Sequence, residues 1–499
     1  MTSADGSIGQ LAARGAAWTF GATAGARVAA LAGIAVLARI LAPDDFGLVA
    51  FALVFIVYTE TIGDLGTGAA LIHWKDREQD AARVTFWVNL AMGALWFLAM
   101  MAMAPFIAAF FRNPEAEPVL RALAWTFPIK ALGNTHDALL QRRLKFRARA
   151  LPDLVQAISK MLVAVPLALL GFGAWSLVWG QLVSLALWTG LLWVMLPWWP
   201  GLRPPLDMLR PMLRYGRGII SVNMLAAVVH HADLVIVGRM LGAAALGFYQ
   251  LAYKIPEMTV VLLVRVASRV VFPAFSRLNA LGGVTALRTG YLAALRYVAL
   301  LAVPAAVGLS VLAEPAVLTV FGPAWAPSVP ILRALALYMG LRAIGTNAGD
   351  LLKATGRPGT LALLALGKAV LLVPVLCLVG PLGAAAVATS LAAATAAFTM
   401  VDLLVACRLT GLTARDLARS LRPAAVGSVA MVPVLAAWSW AASEMAPAVH
   451  LVGGVAFGGT VYAVVVHLHD PDVLRAIRAS LGLGGEPMAA PTRITEVAR

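Results

Sequence analysis

Charged side chains inside long apolar runs are where this chain's chemistry has to be sought. Lys130, Lys160, Arg342 and Lys368 each stand within hydrophobic sequence, as do Arg27 and Arg265. A charge near the bilayer centre costs at least about 2.5–3.5 kcal/mol, so it normally faces the protein interior or a wet cavity. Cations at that depth can hold an anionic group. The competing role is pairing with Glu60, Asp64, Glu257 and Asp350, or stems that reach an interface. Glu60 and Asp64 are four apart on one helical face. With Asp233 they are candidates to carry a coupling proton or cation, against the plainer role of balancing Arg27. His230-His231 beside Asp233 could titrate, against ordinary hydrogen-bonded packing. No GxxxxGK[ST], HExxH or GxSxG occurs, and His467-Leu468-His469-Asp470 has no further ligands nearby. Cys377 and Cys407 form no CxxC, which supports neither a disulfide framework nor a zinc site. The expectation is a non-enzyme with no catalytic residue and no metal. No cofactor is expected, and the only small partner is a coupling proton or cation.

The elements that carry these residues follow from composition. The chain has 499 residues, 39 Lys+Arg against 24 Asp+Glu, a net charge of +15, and 61 % apolar against 13 % charged residues. A soluble domain has about 45–50 % apolar and about 25 % charged residues, so disorder, a disulfide scaffold and a cytosolic enzyme are excluded in favour of a polytopic membrane protein. A crossing helix needs roughly 20 mostly apolar residues. About fourteen segments qualify: 17–41, 46–73, 82–111, 118–140, 150–170, 174–197, 216–241, 245–273, 291–320, 327–352, 359–379, 383–406, 421–442 and 448–467. The first is read as a retained helix and not a signal peptide. Pro43-Asp44-Asp45 can cap the second helix, and Gly171-Phe172-Gly173 and Gly380-Pro381-Leu382-Gly383 separate spans.

Basic residues recur in alternate loops. Loops 74–81, 141–149, 198–215, 274–290, 353–358 and 407–420 each carry at least two, whereas loops 42–45, 112–117, 171–173, 242–244, 321–326, 380–382 and 443–447 together hold only Arg112. By the positive-inside rule both termini are cytoplasmic. The excess charge then marks topology, and no nucleic-acid partner is needed to explain it.

The sequence repeats itself. Ala38-Arg39-Ile40-Leu41 before Phe46-Gly47 answers Gly238-Arg239-Met240-Leu241 before Leu246-Gly247. Arg121 to Ala124 with Lys130 to Gly133 answers Arg333 to Ala336 with Arg342 to Gly345, and Lys160 to Pro166 answers Lys368 to Pro374. The shift is six helices, so both copies run the same way, as in parallel-repeat transporters with a site between the halves. The organisation expected is all-α. A cytoplasmic N-terminus (1–16) precedes an N-lobe of helices 1–6 (17–197), an inter-lobe linker (198–215) and a C-lobe of helices 7–12 (216–406). Helices 13–14 (421–467) and a cytoplasmic tail (468–499) complete the chain.

Residues 230–278 narrow the class. Asp233, Val237 to Gly242, Leu246 to Tyr253 and Phe272-Pro273-Ala274-Phe275-Ser276 resemble the helix 7–8 signature of the polysaccharide transporter family, and Arg39 to Leu41, Asp45 to Gly47, Asp64 to Gly66 and Ala70 to Ile72 extend the likeness. The branch resembled is the Wzx-type oligosaccharide flippases, colanic-acid-exporter-like, of the multidrug/oligosaccharidyl-lipid/polysaccharide exporter superfamily. The resemblance implies export of a polyprenyl-pyrophosphate-linked oligosaccharide across the bacterial inner membrane by alternating access, for exopolysaccharide or lipopolysaccharide synthesis. It also implies partners: that lipid-linked sugar, membrane lipid, and a polymerase and chain-length regulator of the same pathway. The pyrophosphate and sugar would meet Lys130, Arg342, Lys160, Lys368, Arg27 and Arg265. A drug or small-molecule cation antiporter, a peptidoglycan-precursor flippase and a membrane polymerase or ligase are the alternatives. The short outward loops count against the last.

Overall fold

The computed structural model describes residues 25, 27–63, 65–73, 77–143 and 145–469; side chains at 60–62, 73, 146–147, 217–223, 226, 261–284, 286 and 358 fall outside that description. The expected N-terminus 1–16 and Asp64 therefore lie outside the described residues, as does the tail from 470 on.

Every regular element among the described residues is helical. In chain order they are α1 (Arg27–Ala38), α2 (Pro43–Ile62), α3 (Thr67–His73), α4 (Glu78–Phe110), α5 (Ala116–Leu123), α6 (Thr126–Arg142), α7 (Phe146–Leu169), α8 (Ala174–Met195) and α9 (Leu206–Pro256). A π-helical turn at Glu257–Val261 leads into α10 (Leu262–Val311), then α11 (Ala313–Val320), α12 (Ser328–Ala354), α13 (Pro358–Val379), α14 (Ala384–Thr410), α15 (Ala414–Ala441) and α16 (Pro447–His469).

Ten helices are long and apolar enough to cross a membrane by length and composition among the described residues. That is fewer than the fourteen expected, for local reasons. Only Arg27–Ala38 of the first span is a described helix. Leu65 and Gly66, both at positive φ, break 46–73 into α2 and α3. The 118–140 stretch divides at Ala124-Trp125, and its longer part is only 17 residues and carries Lys130, His136 and Asp137. Spans seven and eight are joined through Gly242, whose φ of 87° and ψ of −173° interrupt α9. The loop expected at 274–290 is helical, because α10 runs from Leu262 to Val311. Residues 274–290 hold no proline and carry several Ala, Leu and Arg, all strong helix formers, between Pro273 and Pro304 of α10. At 1.5 Å per residue its 50 residues exceed any bilayer crossing.

The chain forms two compact units. One comprises Met1–Met258, Val320–Leu332 and Pro358–Ala394, and so holds the described part of the first repeat together with the opening of the second. Its basic loops gather at one end: Arg77 meets Asp207 (2.6 Å), Arg143 meets Glu78 (2.7 Å), and the Trp87 indole donates to the Gly201 carbonyl (2.9 Å). The arginine-poor connections gather at the other. There a Cβ on Gly173 would touch Asp45, one on Gly380 would strike Met240, and the buried Trp325 donates to the Ala38 carbonyl at 2.7 Å. Asp45 reaches back to accept from the Ala42 N–H (3.0 Å), so the expected cap forms, with the helix already begun at Pro43.

α2 and α9 meet through glycines. A Cβ on Gly47 would stand 1.8 Å from the Ala243 carbonyl oxygen, and one on Gly247 would stand 2.1 Å from that of Pro43. Such contacts exclude every side chain. The repeat shift carries Pro43 to Ala243 and Gly47 to Gly247, so the two contacts are copies of each other.

The other unit comprises Thr259–Thr319, Arg333–Arg357 and Thr395–Arg499. α15 opens with a capping box in which Thr413 and Asp416 satisfy each other's backbone N–H. It packs on α10 through Ser420, which donates to the Leu292 carbonyl (2.9 Å); Tyr462 of α16 donates to that of Leu300 (2.7 Å).

Candidate functional site

The first unit encloses a cavity of about 640 Å³ between α2, α3, α4, α6 and α9. Its polar wall is one face of α6. Lys130, Asn134, Asp137 and Gln141 all line it, at intervals of four, three and four residues. That spacing puts them in a single stripe. A polar stripe on a helix otherwise set among apolar spans belongs against water or another polar surface, not lipid. Beside it, α4 contributes Asn89, Gly93 and Trp96, again on one face. A Cβ on Gly93 would lie 2.6 Å from that of Ala131, so the absence of a side chain lets α4 and α6 close together at the cavity floor. Thr59 of α2 and His230 and His231 of α9 complete the polar lining, with Phe127 as an apolar element.

The charge in this cavity is set by pairing. Asp137 is held by Arg149 of α7 through two bonds, Nε to Oδ1 at 2.6 Å and Nη2 to Oδ2 at 3.1 Å. A fork-to-fork pair of this kind satisfies both carboxylate oxygens. Lys130 stands on the same α6 stripe, outside that pair. Asn89 is 2 % exposed; its Nδ2 donates to the Thr135 hydroxyl (3.3 Å), while its Oδ1 is buried without a partner among the described residues. The Trp96 indole N–H is likewise buried and unpaired.

Of the six cations singled out from the sequence, Lys130 lines this cavity among the described residues. Lys160 is half-buried on α7, and its Nζ donates to Gln181 Oε1 of α8 at 2.7 Å. Lys368 is half-buried on α13, and Arg27 lies at the start of α1. Arg342 is half-buried on α12 in the other unit; Arg265 is on α10 with its side chain outside the described residues. Glu60 sits in the last turn of α2 with its side chain also outside them. Asp233 does not line the cavity: it is 1 % exposed and accepts from the Tyr249 hydroxyl at 2.9 Å. His230 and His231, given the plainer packing role above, do line it. Sequence reasoning does not mark Asn89, Trp96, Asn134, Asp137 and Gln141. The four- and seven-residue spacing from Lys130 is legible in the sequence for the α6 residues; nothing local marks the α4 pair.

Comparison with known proteins agrees with this architecture. A family model described as "Polysaccharide biosynthesis protein" matches residues 36–330, more than half of the chain. The succinoglycan biosynthesis transport protein ExoT of Rhizobium meliloti (strain 1021) is 26 % identical over 93 % of this chain and 94 % of its own length. The lipopolysaccharide biosynthesis protein WzxC of Escherichia coli (strain K12) is 28 % identical over 69 % of this chain and 70 % of its own. Among solved structures, the lipid II flippase MurJ in an inward closed conformation superposes with a TM-score of 0.75 at 14 % identity, covering 91 % of this chain and 98 % of that one. An inward-facing multidrug resistance MATE transporter gives 0.61 at 17 % identity, covering 79 % and 94 %. These two likenesses establish a transporter fold of the MurJ and MATE type.

Proposed function

This chain belongs to the polysaccharide biosynthesis protein family, and from that premise we propose that it is the flippase of a polysaccharide pathway. It carries a polyprenyl-pyrophosphate-linked oligosaccharide from the cytoplasmic to the periplasmic leaflet of the bacterial inner membrane by alternating access. Both termini are cytoplasmic, and a polymerase and chain-length regulator act on what it delivers. The observation that carries this reading is the polar-lined cavity among apolar helices, with Lys130, Asn134 and Gln141 in its wall.

The physical need is simple. Each unpaired polar group moved into hydrocarbon costs roughly 2–7 kcal/mol, and an ion costs far more, so a sugar pyrophosphate does not cross unaided. A polar cavity lets the head group pass while its tail stays in lipid. Lys130 offsets the charge of the pyrophosphate, and Arg342, its copy in the second repeat, does so later in the passage. Lys160, Lys368, Arg27 and Arg265 contribute to the same field, and Glu60, Asp64 and Asp233 serve any proton or cation coupling. The membrane potential, positive outside, favours outward movement of an anion by about 2.3 kcal/mol per charge per 100 mV.

The test is a complementation assay in a strain lacking its own flippase, with Lys130 and Arg342 both replaced by Gln. Export should cease while the protein remains inserted and monodisperse. Export at the unmodified rate sinks the proposal.

A further inference from the structure

The cavity holds more neutral polar groups than a pyrophosphate requires. We propose that its α4–α6 wall is a carbohydrate-reading subsite, in which Asn89 and Trp96 of α4 and Asn134 and Gln141 of α6 take hydroxyls of the transported head group. This rests on the flippase reading and divides the work within the cavity. The amides and indole read the sugar, and Lys130 holds the anion.

Three observations carry it. First, Asn134 and Gln141 line the cavity and are half-buried, and their side-chain amides make no hydrogen bond among the described residues. An amide offers two donors and two acceptor sites, the complement of a vicinal hydroxyl pair. Second, Asn89 Oδ1 and Trp96 Nε1 are an acceptor and a donor left buried without partners among the described residues. An orphaned buried group is destabilising, and a bound hydroxyl removes that cost. Asn89 is held by Thr135 at its other amide end, which fixes the ring of contacts on that side. Third, the one carboxylate on this wall, Asp137, is already occupied by Arg149 through both oxygens. The wall therefore recognises by hydrogen bonds and by the apolar faces of Trp96 and Phe127, not by negative charge. A hydroxyl-rich, uncharged ring is the chemistry that fits.

Losing this set of hydrogen bonds should change sugar selectivity about tenfold or more. The experiment uses the full chain in nanodiscs, with farnesyl pyrophosphate and farnesyl-pyrophosphoryl glucose, galactose and mannose as probes, and retention measured by native mass spectrometry. The unmodified protein should retain at least one hexosyl lipid about tenfold better than the bare pyrophosphate, since two or more hydrogen bonds are added. Asn89→Leu with Trp96→Phe, and separately Asn134→Leu with Gln141→Leu, should bring that ratio close to one by lowering hexosyl retention far more than retention of bare farnesyl pyrophosphate. Lys130→Gln should lower all probes together. Equal retention of bare and hexosyl lipids by the unmodified protein overturns the subsite and leaves the flippase reading standing. So does a ratio unmoved by either pair, or a pair that lowers bare and hexosyl retention alike. Failure of the unmodified protein to retain any of the four removes the flippase reading itself.

Discussion

Asp137 and Arg149 decide how positive the cavity is. Asp137 forks onto Arg149 through both carboxylate oxygens, which offsets its charge on the stripe it shares with Lys130. Arg149→Gln should release the carboxylate toward the cavity and lower transport about tenfold, the scale of coupling expected within one charge network. Adding Asp137→Asn to Arg149→Gln should restore most of the loss. A vesicle flip assay with a fluorescent lipid-linked sugar reads both, and a double variant no better than the single one refutes the account. Lys130 was legible in the sequence because a charge in an apolar run is costly. Asn134 and Gln141 share its face but carry no charge, so the criterion that found the lysine passed over them. Asn89 and Trp96 become site residues only through the packing of α4 against α6, a contact between distant parts of the chain.

At the scale of elements, close approach decides which residues are replaceable. Gly47 and Gly247 face backbone, which cannot yield as a side chain would. Gly47→Ala or Gly247→Ala should cost about 1–3 kcal/mol as overpacking. Gly190 of α8 has nothing within 4 Å of an added Cβ, so Gly190→Ala should be neutral or slightly stabilising. Melting temperatures in one detergent rank the three, and equal values would refute the backbone contact.

The Arg77–Asp207 pair ties the α3–α4 connection to the start of α9. The hydrogen bond from Arg77 and its charge hold the Asp207 carboxyl below the ordinary carboxylate range. A carboxyl depressed on folding adds stability above its unfolded value and loses it as pH falls through the folded one. The difference in melting temperature between the unmodified protein and Asp207→Asn should thus be constant from about pH 8 to about pH 5 and vanish well below about pH 4. A difference that grows on acidification contradicts the sign. Most breaks between elements were legible as glycine, proline and aspartate punctuation: the 171–173 and 380–383 turns and the Asp45 cap formed where expected. The helical 274–290 was not, because basic residues there mark topology and say nothing about where a helix ends.

For the whole molecule, the alternation of basic loops appears in the first unit as two ends, one holding Arg77, Arg143 and Asp207 and the other Pro43, Gly173 and Trp325. Single cysteines at 113 and 444, placed in a variant with Cys377 and Cys407 replaced, should react with an impermeant maleimide from outside intact cells. A cysteine at 203 should react only after permeabilisation. The reverse pattern would invert the topology. Composition made the membrane class and the all-helical fold legible. The division into compact units was not, since the second of them draws on three separate stretches of the chain.

The crossing of α2 and α9 has a further consequence. Pro43 lies on Gly247 and Ala243 lies on Gly47, and each partner is the copy of the other's. That is the reciprocity of an interface between two identical subunits related by a twofold axis. Within one polypeptide, α2 and α9 thus meet through a self-complementary surface of the kind that closes a twofold dimer.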